Sequence, residues 1–219
     1  MLHETKFGVC CEIQTEFINA MWACRIFRCS GCPGGQVGQR GHSKSRRLLF
    51  LLREGKWKSS IGNRFFFVHR RLVSAVKRIE FVSDRLSYIV LRGRWLHIIV
   101  VNGHAPSEEE SEESKDSFYE ELEKVFDHLP KYQMKILLGN FNAKVGRENI
   151  FKPIIGQKSL HQDSNDNGVR LVNFATSKNL VVKSTMFPHR NIHKYTWTSP
   201  DGKTHNQIDH VLIDRRWHS

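Results

Sequence analysis

After residue 32 the chain contains no cysteine. The five it has, Cys10, Cys11, Cys24, Cys29 and Cys32, crowd the start. Cys29 and Cys32 form a lone CxxC with no second pair at zinc-finger spacing, which is not enough for a structural zinc site. The odd count and the long cysteine-free remainder argue against a disulfide framework. With no signal peptide, they indicate an intracellular, reducing location, nuclear or cytoplasmic. Long apolar runs are missing too. Leu48–Leu52 and Leu96–Val101 are the longest, far short of the ~20 residues needed to span a bilayer, so no membrane role is expected. Acidic residues are scarce in one half only. Residues 1–100 hold 18 Lys and Arg against 6 Asp and Glu, whereas residues 101–219 hold 16 of each. The whole net charge of +12 therefore lies in the first half.

That charge is concentrated further. From Arg25 to Arg78 there are 14 basic residues and one acid, Glu54. Such a block is drawn to phosphate backbones, so nucleic acid, DNA in particular, is the expected partner. The same composition also describes a solvated segment that packs against nothing. Residues 1–62 have no hydrophobic period, and Ser30 to Gly41 is rich in glycine. The division expected is an irregular, basic, cysteine-containing segment over 1–62 and a folded domain over 63–219. At 219 residues and 39% hydrophobic content, the chain is long enough and apolar enough to bury a core.

From Arg64 on, the texture is that of alternating elements. Phe65–His69, Val73–Val82, Ser87–Leu91 and Trp95–Val101 read as strands divided by charged turns. Phe118, Leu122, Val125, Phe126 and Leu129 recur on one face of a helix that Pro130 ends. A second helix, capped by Asp166 or Asn167, runs to about Asn179 with Val172 and Ala175 inward. Leu180–Lys183, Lys194–Thr198 and Gln207–Ile213 are further strands, the last two flanking the turn Ser199-Pro200-Asp201-Gly202. Interleaved strands and helices make this an α/β chain.

The stretch Met134 to Lys144 organises the rest. A strand through Leu138 meets Gly139 and delivers Asn140 and Asn142 at the carboxyl end of a sheet, where α/β proteins place their chemistry. If the chain stays extended, the two amides share a face and Phe141 anchors behind them. The plainer reading is a strand followed by an asparagine turn.

Five blocks in order, Phe66–Arg70, Val101–Pro106, Leu137–Gly146, Thr196–Gly202 and Gln207–Asp214, resemble the endonuclease/exonuclease/phosphatase superfamily. More narrowly they resemble retrotransposon-type endonucleases and the craniofacial development protein 2-like group. The resemblance implies a four-layer α/β sandwich, here partial, without its first and last strands. It also implies Mg²⁺-dependent phosphodiester hydrolysis by a metal-activated water. Carried over residue by residue, His104 stands at a phosphate-side position and Asn142 at a scissile-phosphate contact. Asp209 stands at the partner of the catalytic histidine, and Trp197 at a packing or substrate-facing aromatic. Asn140 occupies the place of the family's aspartate, and an amide neither serves as a general base nor attracts a cation. The early asparagine, the metal-binding glutamate and the terminal histidine of the pattern are not found. The expectation is a degenerate, inactive relic of a metal-dependent endonuclease, with its magnesium site lost and weak, non-specific nucleic-acid binding retained. An active Mg²⁺-dependent endonuclease and a non-enzymatic protein-interaction module are the alternatives.

Overall fold

The computed structural model describes residues 49–53, 65–188 and 190–217. The cysteine cluster and the basic stretch before residue 49 lie outside the described residues. Strand β1 is Leu49–Arg53 and β2 is Phe65–His69, paired antiparallel with Leu51 opposite Phe67. Leu49–Arg53, within the stretch expected to be irregular, is thus a strand, and it pairs with β2.

The principal sheet contains β3 (Val76–Phe81), β4 (Leu86–Leu91), β5 (Ile98–His104), β6 (Met134–Asn140), β7 (Leu180–Val182) and β10 (Asp209–Asp214). Their spatial order is β3-β4-β5-β6-β10-β7. All neighbours run antiparallel except β5 and β6, which are parallel. A parallel pair needs a crossover, and helix α1 (Glu112–His128) supplies it. Of the acidic residues Glu108, Glu109, Glu110, Glu112 and Glu113, only the last two lie in this helix. Ser111 caps it by accepting from the Ser114 N–H, and Glu112 and Glu113 fill its first turn, where the helix dipole favours anions. Helix α2 (Asp166–Ser177) precedes β7.

One face of the sheet, carrying Ile99, Val101, Leu137 and Leu212, packs against Phe118, Leu122, Leu171 and Phe174 of the two helices. The other face, carrying Ile98, Val100, Ile136, Leu138 and Val211, packs with Val68 and Leu72, which stand in or just after β2. This is an α/β fold in which two helices cover one face of a six-stranded mixed sheet. On the opposite face the described residues provide a two-stranded hairpin rather than a second full sheet. No helix among them is long and apolar enough to cross a membrane.

Several boundaries depart from the sequence expectation for physical reasons. The start of the run from Val73 is taken by a tight helical turn, Arg70–Ala75, before β3 begins. Strand β6 does not stop at glycine. It passes through Gly139 at φ 146° and ends at Asn140. The run Lys194–Thr198 narrows to β8 (Trp197–Thr198), which pairs with β9 (His205–Asn206) across the Ser199–Gly202 turn. Strand β10 instead joins the principal sheet. The cap of α2 is Asn165, not Asp166 or Asn167. Its Oδ1 accepts from the Gly168 N–H at 2.8 Å.

Candidate functional site

Register brings three of the sequence-selected residues into one row. His104 at the end of β5 lies opposite Asn140 at the end of β6, and Asn140 lies opposite Asp209 at the start of β10. Residues paired across neighbouring strands project to the same side, so the three side chains share a face within about 10 Å, two strand spacings. That face is the one carrying Val100, Leu138 and Val211, away from the helices. The row exists because the parallel β5–β6 pair and the antiparallel β6–β10 pair end together.

The row crosses the sheet at a close approach. One register step inside it, Gly103 and Gly139 face each other. A Cβ on Gly139 would overlap the Gly103 carbonyl oxygen, and φ 146° is a conformation that side chains disfavour. The glycine is therefore required by the sheet, and it positions Asn140.

Past Asn140 the chain turns. The Asn142 N–H donates to Asn140 Oδ1 at 2.9 Å, and Asn142 takes φ 48° in the left-handed region. This is an Asx turn, so the extended alternation of Asn140 and Asn142 does not occur. Asn142 instead braces the loop: its Nδ2 donates to the Ala105 carbonyl at 2.9 Å, and its own carbonyl accepts from Asn165 Nδ2 at 3.2 Å. Phe141 does anchor behind, fully buried in the helix-side core. Trp197 stands elsewhere, on the β8–β9 hairpin. It is 41% exposed and so is not a core residue. Its neighbour Thr196 does reach the row, where Oγ1 accepts from the Ile208 N–H at 2.9 Å and the Asp209 N–H at 3.2 Å.

The electrostatics around His104 come from residues that sequence reasoning did not single out. Arg85 Nη2 pairs with Glu110 at 3.0 Å, and Arg85 Nη1 donates to the His104 carbonyl at 3.5 Å. Burial pushes the His104 imidazole below its ordinary value, and the Arg85 charge lowers it further against the opposing pull of Glu110. His104 Nδ1 is buried without a hydrogen-bond partner among the described residues. Glu110 is held below the usual carboxylate range, first by the Ser107 N–H and then by Arg85. No periodicity marks Arg85 or Glu110. They meet only because the β3–β4 turn folds beside the loop after β5.

His210, beside Asp209, points to the other face. Its Nε2 lies 2.8 Å from the Ala143 carbonyl and its Nδ1 2.9 Å from Ser184 Oγ. A carbonyl only accepts, so Nε2 carries the proton and Nδ1 receives the Ser184 hydroxyl. Burial pushes this histidine down to about 4, so it is a neutral strut holding the Asn140–Lys144 loop to β10.

A divalent cation is a poor match for this row. Magnesium takes near-octahedral oxygen ligands, with carboxylates to balance its charge. The row offers one carboxylate, Asp209, one imidazole, and one amide whose oxygen is already engaged by the Asn142 N–H. Among the described residues no cluster of three or more His, Cys, Asp or Glu side chains could hold a metal. What the row does offer is hydrogen-bond donors, the Asn140 amide NH₂ and a neutral imidazole, with Asp209 beside them.

Over 152 residues the chain is 32% identical to craniofacial development protein 2 of Bos taurus, covering 69% of this chain and 25% of that protein. The Tragulus javanicus protein of that name matches at 32% over 152 residues, 69% of this chain and 26% of the relative. The chain thus spans about a quarter of the length of these curated relatives. No protein-family model matches it. Among solved structures, the endonuclease domain of TRAS1, a telomere-specific non-LTR retrotransposon, aligns with TM-score 0.43 and 12% identity, over 61% of this chain and 52% of that one. An endonuclease/exonuclease/phosphatase family protein from Leptotrichia buccalis aligns with TM-score 0.44 and 14% identity, over 79% and 62% of the two chains. An AP endonuclease from Archaeoglobus fulgidus gives 0.45 and 17%, over 65% and 60%.

Proposed function

Because this chain is a homologue of craniofacial development protein 2 over 69% of its length, we propose that it is an endonuclease-like scaffold that no longer hydrolyses phosphodiesters and binds nucleic acid through its phosphates. The observation that carries this reading is Asn140. It occupies the centre of the His104–Asn140–Asp209 row, where a carboxylate would be needed to take a proton from water and to hold a cation. An amide does neither. Its NH₂ and the His104 ring still suit a phosphate oxygen, so the row is equipped to contact a backbone without cleaving it. The excess of basic residues in the first half supplies the long-range attraction.

The test is nicking of supercoiled plasmid by the full chain, with Mg²⁺ and with EDTA, beside an Asn140→Asp variant. Neither protein should nick, because one restored carboxylate still leaves the donor set short. Metal-dependent nicking by the natural chain would overturn the inactive reading. Nicking by the Asp variant alone would show that a single amide had silenced an otherwise intact site.

A further inference from the structure

At the end of the principal sheet away from the row, the chain opens a cleft of about 420 Å³. Its floor is aliphatic. Leu96, Ile98 and Met134 line it, and the last two face each other in the β5–β6 register. They stand six residues before His104 and Asn140, so the cleft lies about 20 Å from the row. Its sides are Trp95 and Trp217, which are 86% and 43% exposed. Such exposure is high for a side chain that folded proteins mostly bury. The display of Trp95 is fixed by a tight turn, since a Cβ on Gly93 would overlap the Leu96 carbonyl oxygen. The Arg94 guanidinium lies over the Trp95 ring, 5.0 Å from its centre.

We propose that this cleft docks a segment of a partner protein whose bulky apolar side chains are flanked by carboxylates. Charge selects the partner first. Arg92, Arg94, Arg215 and Arg216 are exposed just past the ends of β4 and β10, at this end of the sheet. Asp214, the acid that precedes them on β10, is paired with Arg216. None of the described residues lining the cleft is acidic, so the rim matches an acidic partner. Hydrogen bonding selects it again. The polar side-chain groups in the lining are the Arg94 guanidinium and two indole N–H groups, and all of them donate. A carboxylate accepts from them, and an apolar side chain fills the floor with nothing left unmatched. A nucleobase would bring donors of its own over an aliphatic floor, where a donor without a partner is costly. The exposure of Trp95 also leaves the cleft open on one side. A small molecule there would stay largely in water, whereas a polypeptide segment can cover the indole. Tryptophan and arginine are the side chains that most often dominate the energy of protein–protein contacts.

The test is fluorescence anisotropy of the full chain with two labelled peptides, one alternating Leu and Phe with Glu and one with Lys in place of each Glu. The acidic peptide should bind and the basic one should not. Trp95→Ala should weaken the acidic peptide by about tenfold or more. Arg94→Gln should weaken it by about threefold and reduce its salt dependence. Both side chains are exposed, so neither substitution disturbs the core. Ile150→Ala, which removes an 83% exposed apolar side chain outside the cleft, should leave the affinity unchanged. No binding of the acidic peptide, equal binding of both peptides, or unchanged affinity in Trp95→Ala would each overturn the proposal. A labelled single-stranded oligonucleotide is run beside the peptides, and sedimentation is measured over a range of protein concentrations. Oligonucleotide affinity that falls in Trp95→Ala and not in Ile150→Ala would give the cleft to nucleic acid instead. Self-association of the natural chain that Trp95→Ala abolishes would give it to a second copy. Either result overturns a separate acidic partner.

Discussion

At Gly139 a side chain has nowhere to go, since any Cβ runs into the Gly103 carbonyl on the neighbouring strand. Gly139→Ala should therefore destabilise the protein by about 3 kcal/mol or more, combining backbone strain with displacement of β5, as read by urea unfolding. His210 gives a second prediction, in pH. Its folded value lies near 4, below the ordinary 6.5. Between those values the unfolded chain binds a proton that the folded chain refuses, so stability rises with pH across this window and falls as the solution is acidified through it. The loss approaches roughly 3 kcal/mol at the acid end. His210→Gln should flatten the dependence of unfolding free energy on pH between neutral and mildly acid solution. An unchanged slope would mean other groups carry it.

At the scale of elements, the loop from Asn140 to Lys144 depends on α2. Asn165 caps that helix through Gly168 and also accepts from the Lys144 N–H at 2.8 Å, so one amide fixes both a helix start and the loop behind the row. Asn165→Ala should cost about 2 kcal/mol, the upper part of the range for a lost cap, measurable by chemical denaturation. The two helices are also joined by charge. Arg170 of α2 pairs with Glu112 and Asp116 of α1 and with Asp166 of its own helix. The capping asparagine was not singled out from sequence, because Asn165, Asp166 and Asn167 stand in a row and any of them can cap. Which one does so is decided by the loop that Asn165 also has to hold.

For the whole molecule, the prediction is electrostatic. A chain whose net charge of +12 lies in its first half should bind nucleic acid with little sequence preference, losing affinity by orders of magnitude between about 50 and 200 mM salt. Anisotropy with two unrelated oligonucleotides checks this. Comparable affinity for both and a steep salt slope are expected, whereas salt-independent binding would point to protein-like or base-specific contacts.

Most elements of the domain were legible in the sequence because their periods are strong. The helix face of Phe118, Leu122, Val125 and Phe126 recurs as expected, and the apolar runs of β4, β5 and β6 are strands. The residues of the candidate row were also in view, since Asn140 follows a strand and Asp209 begins one. Their sequence separations of 36 and 69 residues carried no sign that His104, Asn140 and Asp209 align. That follows from strand order and register, which depend on how the helices cover the sheet. The same holds for the Arg85–Glu110 pair and for His210 turned to the opposite face. Local pattern determined which segments become helix or strand, because it depends on neighbours three or four residues away. Only the tertiary structure decided which charges meet and which stay unpaired, because burial and register are properties of distant segments brought together.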